Sequence, residues 1–232
     1  MIVAIHQPQY LPWLAYCDKA NACDRFVYLD NVQFQKNGVQ NRNQIKTADG
    51  PLWLTVPVHA HMRHSIALTE IAGEEWSEKH LRTIALNYAK AKHFAQCRQE
   101  LELILRREWK YLAELNIAMT EWIFERLDIS CERVKASALT ATGKGEELVL
   151  NICRELGAKV YLSGQGAKAY QDDTRFREHG IEVRHQRYEP SAYEQCHAKL
   201  GFIAGLSALD AILNLGPSAR ELIQSRAGAQ KA

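Results

Sequence analysis

A histidine and several polar side chains directly follow the first apolar segment of the chain. Residues 1–5 read MIVAI, and His6, Gln7, Gln9 and Tyr10 come next. A short apolar run of this kind predicts a buried strand whose carboxyl end opens into a polar loop. Because an imidazole has an ordinary pKa of about 6.5, His6 suits either a general base or a cation that contacts phosphate. The structural alternative is a histidine that only bonds a nearby backbone carbonyl.

Basic and amide side chains are concentrated between residues 31 and 48, a segment without any acidic residue. Together with the carboxylate just before them, they form a second cluster of candidate residues: Asp30, Gln33, Lys36, Asn41, Arg42, Asn43 and Lys46. Guanidinium, ammonium and amide donors suit an anionic ligand, since charge-assisted bonds to phosphate are strong. The alternative is a solvated long loop or short hairpin in which the lysines have no specific role.

A third polar cluster lies between a predicted strand at residues 159–162 and a predicted helix. It consists of Ser163, Gly164, Gln165 and Gly166. Glycines let backbone amides approach a ligand closely, and a helix N-terminus beyond them favours negative charge. The alternative for this short motif is a tight turn between strand and helix.

Three histidines occur close together in the segment HAHMRH, at His59, His61 and His64. Histidine is a common ligand of transition metals, but no carboxylate or thiol in this segment completes a ligand set. On an extended strand His64 also falls on the opposite face from the other two. We therefore expect surface histidines here, and the sequence predicts no metal site.

The elements that position these clusters alternate between strands and helices. Two short apolar strands, at about 1–5 and 25–29, flank a helix and predict a parallel pair. Helical spacing of apolar residues predicts a helical insertion over about 76–130, after which strands and helices alternate again. The prediction is a single α/β domain over residues 1–232 with a mostly parallel, Rossmann-like nucleotide-binding sheet. In such sheets ligands bind beyond the carboxyl ends of the strands.

Composition excludes several classes of protein. The chain has 232 residues, of which 47% are hydrophobic and 24% charged, and its net charge is +2. This charge predicts neither nucleic acid nor a membrane surface as the main partner. No apolar run reaches the roughly 18 residues of a membrane span, and the six cysteines form no CxxC pair. A cytoplasmic protein with reduced thiols is the expectation.

Several sequence segments carry a resemblance that spans nearly the whole chain. They are IHQPQYLPWLAYCDKA, FVYLDNVQFQKNGVQNRNQIK, WLTVPV, LGAKVYLSGQGAKAY and GLSALDAILNLG. In these segments the chain resembles the WbqC-like family of bacterial proteins. The resemblance implies a role in O-antigen or other surface-polysaccharide synthesis, with a nucleotide-linked amino sugar as substrate. The reaction it implies is the transfer of an acyl or aminoacyl group to the sugar amine.

Each candidate residue has a role in the implied reaction. His6 accepts a proton from the attacking amine, and Asp30 is either a second proton acceptor or an anchor for Arg42. The expected ligands of the diphosphate and of sugar or phosphate oxygens are Gln33, Lys36, Arg42, Lys46, Asn41 and Asn43. Gln7 and Tyr10 order the first loop, and Ser163 and Gly164 line the opposite wall.

The acyl donor has no motif of its own in the sequence. A thioester of coenzyme A or of an acyl-carrier protein is therefore an expectation from the reaction alone. Two other functions stay open: a magnesium-assisted nucleotidyl transfer, with Asp172 and Asp173 as further carboxylates, and a nonenzymatic nucleotide-sugar-binding protein of the same pathway. The sequence leaves the sugar, the base and the oligomeric state open.

Overall fold

The computed structural model describes residues 1–36, 38–59, 64–169 and 172–224. The strands in chain order are β1 (Ile2–His6), β2 (Arg25–Tyr28), β3 (Arg42–Thr47), β4 (Gly50–Thr55), β5 (Val58–His59), β6 (Glu70–Ile71), β7 (Glu132–Lys135), β8 (Val160–Ser163) and β9 (Glu182–His185). The α-helices are α1 (Leu14–Asn21), α2 (Glu75–Tyr88), α3 (Phe94–Arg106), α4 (Leu112–Arg126), α5 (Glu146–Glu155), α6 (Asp173–Glu178), α7 (Ala208–Leu215) and α8 (Glu221–Gln224). Short 3-10 helices lie at Ile66–Leu68, Ala136–Ala138, Gln165–Ala169, Ala198–Leu200 and Gly216–Arg220.

Five of the strands form one parallel sheet in the order β7-β2-β1-β8-β9, so the predicted α/β fold is confirmed. The predicted parallel pair is β1 and β2, with His6 opposite Tyr28. The chain runs outwards from β1 to β2 and β7, and then returns to the other side of β1 with β8 and β9. The strand order therefore reverses between β1 and β8, which is where open parallel sheets bind ligands.

Both faces of this sheet are covered, as parallel sheets require. On β1, Val3 and Ile5 belong to a core that includes residues of α5 and α6, whereas Ala4 belongs to the larger core on the other face. Tyr161 stacks on Phe176 of α6, with ring centroids 5.2 Å apart. Side-chain alternation along each strand thus supplies two cores, and polar groups are left for the strand ends.

The described part of the long crossover from β2 to β7 contains two antiparallel strand pairs and three α-helices. The segment expected to be a long loop or a short hairpin contains β3, which pairs with β4 in antiparallel fashion from Arg42 opposite Thr55 to Thr47 opposite Gly50. A second antiparallel pair is formed by β5 and β6, with Val58 opposite Ile71 and His59 opposite Glu70. Helices α2, α3 and α4 occupy the predicted helical region and share the larger core with the sheet.

The described part of the chain contains no helix that is both long and apolar enough to span a membrane. All six cysteines are free thiols. Cys17, Cys97, Cys131 and Cys153 are buried, so these thiols act as small apolar side chains of the two cores.

A close backbone approach connects the C-terminal helices to the loop between α2 and α3. Gly216 has a φ of 58°, and a Cβ atom at this position would lie 2.5 Å from the imidazole of His93. The backbone amide of His93 also donates to the carbonyl of Leu213 at 3.0 Å. Glycine is required here both for its backbone conformation and for the space that it leaves.

We predict that Gly216→Ala destabilises the protein more than Gly157→Ala does. Gly157 has a similar φ of 67°, but nothing lies within 4 Å of the position that a Cβ atom would occupy there. Gly157→Ala should lower the free energy of unfolding by about 1–2 kcal/mol through backbone strain alone. Gly216→Ala should cost about 1–3 kcal/mol more, because the methyl group must also displace the His93 ring. Denaturant unfolding of both variants measures the difference, and equal losses would show that the close approach is absent.

Candidate functional site

A cavity of about 480 Å³ lies at the reversal of strand order, beyond the carboxyl ends of β1 and β8. His6 and the first turn of α1 form one side, and Gly164 to Gly166 form the other. The remaining wall is the segment from Gln186 to Leu206. The lining residues are His6, Trp13, Leu14, Ala15, Tyr16, Gly164, Gln165, Gly166, Gln186, Tyr188, Pro190, Ser191, Tyr193, Phe202, Ile203, Gly205 and Leu206. We call this space the switch-point cavity.

Aromatic and uncharged polar groups dominate the lining of the switch-point cavity. Its described lining contains no Asp, Glu, Lys or Arg. Aromatic rings come from the α1 side and from the segment after β9, among them Trp13, which is 43% exposed, and Tyr188. Helix α1 begins at Leu14 on the cavity wall, so the positive end of its dipole lies there. The cavity therefore fits a ligand with stacking faces and hydrogen-bonding groups.

The imidazole of His6 lines this cavity and is held neutral. Its Nδ1 lies 3.2 Å from the carbonyl oxygen of Gln7, which can only accept, so Nδ1 carries the proton and Nε2 has the lone pair. The ring packs against Tyr16, with centroids 4.7 Å apart. Burial, together with the nearby charge of Lys19, lowers the pKa of His6 from 6.5 to about 3. At neutral pH His6 is a proton acceptor and not a cation.

Lys19 on α1 is an internal cation that sequence reasoning missed. It is 2% exposed, and its Nζ donates to the carbonyl of Ile5, one residue before His6, at 2.8 Å. Burial lowers the pKa of Lys19 to about 8. Lysines in helices are usually solvated, so nothing in the sequence marked this one as internal.

A buried hydrogen-bond network holds the wall formed by residues 186–206 in place. The carboxylate of Asp210 on α7 accepts bonds from the Tyr88 and Tyr193 hydroxyls, each at 2.7 Å, and from Gln195 Nε2 at 2.9 Å. Burial raises the pKa of Asp210. Because Tyr193 lines the cavity and its hydroxyl is fixed to α7, this wall has a defined position.

Gln186 ties the end of β9 to α1 across the cavity floor. Its Nε2 donates to the carbonyl of Ala15 and to Oδ2 of Asp18, both at 2.7 Å. Its backbone amide donates to the carbonyl of Ser163 at 2.9 Å. Gln186 thus joins three of the segments that line or support the cavity.

Among the residues with an expected role in the reaction, His6 and Gly164 lie together in this lining, and Gln165 and Gly166 of the third cluster line it as well. Ser163 is fully buried at the end of β8, directly before Gly164. Gln7 lies behind His6, where its Oε1 accepts a bond from Gln40 Nε2 at 2.8 Å. The first and third sequence clusters therefore meet at one site.

Other predicted residues lie in the interior and bond to the protein itself. The Tyr10 hydroxyl lies 2.9 Å from Nδ1 of His80. Nδ2 of Asn41 donates to the Val56 carbonyl at 2.9 Å, and Nδ2 of Asn43 to the Leu11 carbonyl at 2.7 Å. A further buried side chain is Lys46, whose Nζ donates to Gln195 Oε1 at 3.2 Å and to the Gly201 carbonyl at 2.6 Å. None of these four predicted residues lines the switch-point cavity.

The remaining predicted residues lie outside the cavity lining as well. Asp30 accepts bonds from the amide and the hydroxyl of Ser137, at 2.8 and 2.6 Å, and so joins the end of β2 to the turn after β7. Arg42 stacks on Trp53 of the neighbouring strand, 4.5 Å from the ring centroid. Two more are exposed on the surface: Gln33 and Lys36. The second sequence cluster thus does not line the same cavity as His6.

The histidine segment shows no metal centre in its described part. His59 and His64 are exposed, and His61 lies outside the described residues. Among the residues that the structure describes, no group of three or more His, Cys, Asp and Glu side chains is placed to hold a metal ion.

Sequence reasoning missed most of the aromatic wall. Gln186 and Tyr188 lie just beyond the carboxyl end of β9, and His6 lies at the carboxyl end of β1, so the rule that ligands bind at strand carboxyl ends applied to all three. Tyr193 and Phe202 stand in an irregular segment without periodicity, and only the fold brings them to the cavity.

Comparison with known proteins gives the family of the chain. The sequence profile of the WbqC-like protein family matches residues 7–222. The chain belongs to this family. A protein of Mycobacterium tuberculosis (strain ATCC 25618 / H37Rv) named Uncharacterized protein Rv1507c is 35% identical over 227 residues, which cover 96% of this chain and 97% of that protein. No solved structure matches the chain.

We predict that His6 makes the protein less stable in acid. The unfolded imidazole takes up a proton near pH 6.5, whereas the native one stays neutral down to about pH 3, so falling pH favours the unfolded state within this window. His6 should lower the free energy of unfolding by up to about 1.4 kcal/mol per pH unit there. His6→Gln should remove this share of the slope in urea unfolding measured at several pH values.

Two other histidines provide the controls for this measurement. Burial lowers the pKa of His80 to about 4. His80 therefore contributes to the pH dependence of the unfolding free energy in the wild type and in His6→Gln alike. His179 is exposed on the surface just after α6, so His179→Gln should retain the full slope. A His6→Gln protein with an unchanged slope would contradict the neutral state of His6.

Proposed function

We propose that this member of the WbqC-like protein family is a transferase that binds a nucleotide-linked amino sugar in the switch-point cavity and acylates the sugar amine. The observation that supports this most is the neutral His6 at a cavity where the strand order reverses. The volume of about 480 Å³ lies within the range of small-molecule sites. The aromatic walls suit the stacking of a base or a sugar ring.

The proposed reaction uses the lone pair of His6 Nε2. The sugar amine attacks the carbonyl carbon of an acyl thioester, a carbon–nitrogen bond forms, and the carbon–sulfur bond breaks. His6 accepts the proton that the amine loses and passes it to the departing thiolate. A neutral imidazole is required at the start of this sequence, because an imidazolium has no lone pair to accept the proton.

The thioester donor, from coenzyme A or an acyl-carrier protein, belongs to the proposal. So does the family's implied place in surface-polysaccharide synthesis. Asp30 is not given a part in the proton path, because both of its oxygens accept bonds from Ser137. The carboxylates considered for a magnesium-assisted nucleotidyl transfer also have structural partners: Asp172 accepts from the Thr174 amide at 3.0 Å, and Asp173 lies 3.0 Å from His185 Nε2.

The first test of the function is a substitution of the proton acceptor. Purified protein is incubated with uridine-diphosphate and thymidine-diphosphate amino sugars and an acyl thioester, and the amide product is measured by mass spectrometry. His6→Gln should reduce turnover about 100-fold or more, since general base catalysis contributes at least this factor. Binding of the nucleotide sugar should change only slightly.

His179→Gln serves as the control, because it removes an exposed imidazole that does not line the cavity. A wild-type protein that binds the sugars without turnover is a binding protein, and this result overturns the transferase proposal. Turnover that appears only with a nucleoside triphosphate and magnesium, with release of pyrophosphate, points to nucleotidyl transfer instead.

The second test concerns the aromatic wall. Tyr188→Ala should weaken binding of the nucleotide sugar by about 1–3 kcal/mol, because a stacking face is lost. Tyr188→Phe keeps the ring and should bind nearly as tightly as the wild type. Calorimetric titration measures both affinities. Equal binding by Tyr188→Ala and the wild type would show that the ligand does not lie against this wall.

A further inference from the structure

A second cavity, of about 520 Å³, adjoins the switch-point cavity. Tyr193 and Phe202 line both spaces. Their rings meet edge to face, with centroids 5.3 Å apart, and form the partition between the two cavities. The hydroxyl of Tyr193 is fixed to the buried Asp210, which keeps this partition in place.

The two cavities differ in charge. The described lining of the switch-point cavity contains no charged side chain, whereas Lys90 and Lys92 line the second cavity together with one carboxylate, Glu194. Both lysines are exposed, and neither is paired with a carboxylate within the described residues. Their ammonium groups are therefore available to an anion that enters the second cavity.

The fold places these two lysines on a fixed backbone. They lie in the loop from α2 to α3, whose start is anchored by Tyr88, a buried residue that donates to Asp210 at 2.7 Å. The end of the loop is anchored by the amide of His93, which donates to the Leu213 carbonyl at 3.0 Å. Only the lysine side chains, and not the loop itself, have to be ordered when a ligand binds.

A third cation lies behind the lining of the second cavity. The buried ammonium of Lys46 donates to Gln195 Oε1 at 3.2 Å and to the Gly201 carbonyl at 2.6 Å, and both of these residues line the cavity. The carboxylate of Asp210 lies behind the same wall and bonds to Gln195 Nε2 at 2.9 Å. These three ammonium groups outnumber the two carboxylates of Glu194 and Asp210 at this cavity, and the two exposed lysines lie on its accessible side.

We propose that the second cavity binds the diphosphate of a substrate, through Lys90 and Lys92, while the uncharged part of that substrate lies on the other side of the Tyr193–Phe202 pair, in the switch-point cavity. This inference rests on the proposed function in assigning the uncharged part to the switch-point cavity. It assigns the phosphate contacts to the loop between α2 and α3 and not to the hairpin of β3 and β4.

Two substrates of the proposed reaction carry a diphosphate: a nucleotide-linked sugar and coenzyme A. Ammonium groups bind phosphate oxygens through charge-assisted hydrogen bonds, which are among the stronger polar contacts in proteins. Such contacts weaken with salt at an exposed site. Binding at the second cavity should therefore depend on both lysines and on ionic strength.

The test is calorimetric titration with inorganic pyrophosphate, uridine diphosphate and coenzyme A. The double variant Lys90→Gln/Lys92→Gln should bind pyrophosphate about tenfold or more weakly than the wild type. The control is Lys144→Gln/Lys159→Gln, which removes the same net charge at exposed lysines that line neither cavity. It should change the affinity by less than about twofold, since distant charges are screened.

Each outcome decides the proposal. The proposal is supported if pyrophosphate affinity falls in Lys90→Gln/Lys92→Gln and not in the control variant. The larger ligand whose affinity falls by the same factor, uridine diphosphate or coenzyme A, is then the source of the diphosphate. The proposal is overturned if the wild type does not bind pyrophosphate, or if both double variants lose the same affinity. It is also overturned if uridine diphosphate and coenzyme A bind the Lys90→Gln/Lys92→Gln variant as tightly as the wild type.

The same experiments separate this inference from the proposed function. His6→Gln lies in the other cavity and should leave the pyrophosphate affinity unchanged. If pyrophosphate binds through the two lysines but no acyl transfer is found, the diphosphate site stands and the transferase proposal fails. If acyl transfer is found and the lysine variants bind normally, the transferase stands and the diphosphate site fails.

Discussion

Strand β1 pairs in parallel with β2 on one side and with β8 on the other, and this central position governs the site. The segment after β1 continues into α1, and the segment after β8 turns into the short helix Gln165–Ala169. Since the chain departs in different directions from two adjacent strand ends, a gap remains between them. The switch-point cavity lies in that gap. His6 lines the cavity because His6 is the last residue of β1.

Internal charges give this gap its chemistry and its shape. Lys19 lies beneath β1, and its ammonium donates to the carbonyl of Ile5, next to His6. Its positive charge and the burial of His6 both lower the pKa of the imidazole and keep it neutral. Asp210 collects three hydrogen bonds from different parts of the chain and so fixes the aromatic wall. Burying an ion lowers the stability of the folded state unless the ion has hydrogen-bond partners. Lys19 and Asp210 both bond to other groups of the protein. The lining of the cavity can therefore stay uncharged while charges behind it act on its residues.

The sequence was sufficient for the sheet and for part of the site. Apolar runs with polar ends identified β1 and β8, and the ligand-binding rule for parallel strands then selected His6 and Gly164. The same reasoning did not locate the basic residues of the hairpin, because both alternatives for Lys46, a phosphate ligand and a solvated side chain, required an accessible ammonium group. On β3 that side chain points to the interior, where Gln195 and Gly201 bond it. These partners are far away along the chain, and local patterns contain no information about such contacts.

The central claim is that a ligand binds where β1 and β8 end, and nuclear magnetic resonance tests it most directly. Isotope-labelled protein is titrated with a uridine-diphosphate amino sugar, and the backbone amide shifts are followed. The account predicts the largest changes at Ala15, Gly164 and Gly166, which line the cavity. Changes concentrated in the hairpin from Arg42 to Thr55, with the amides at the strand ends unaffected, would contradict it.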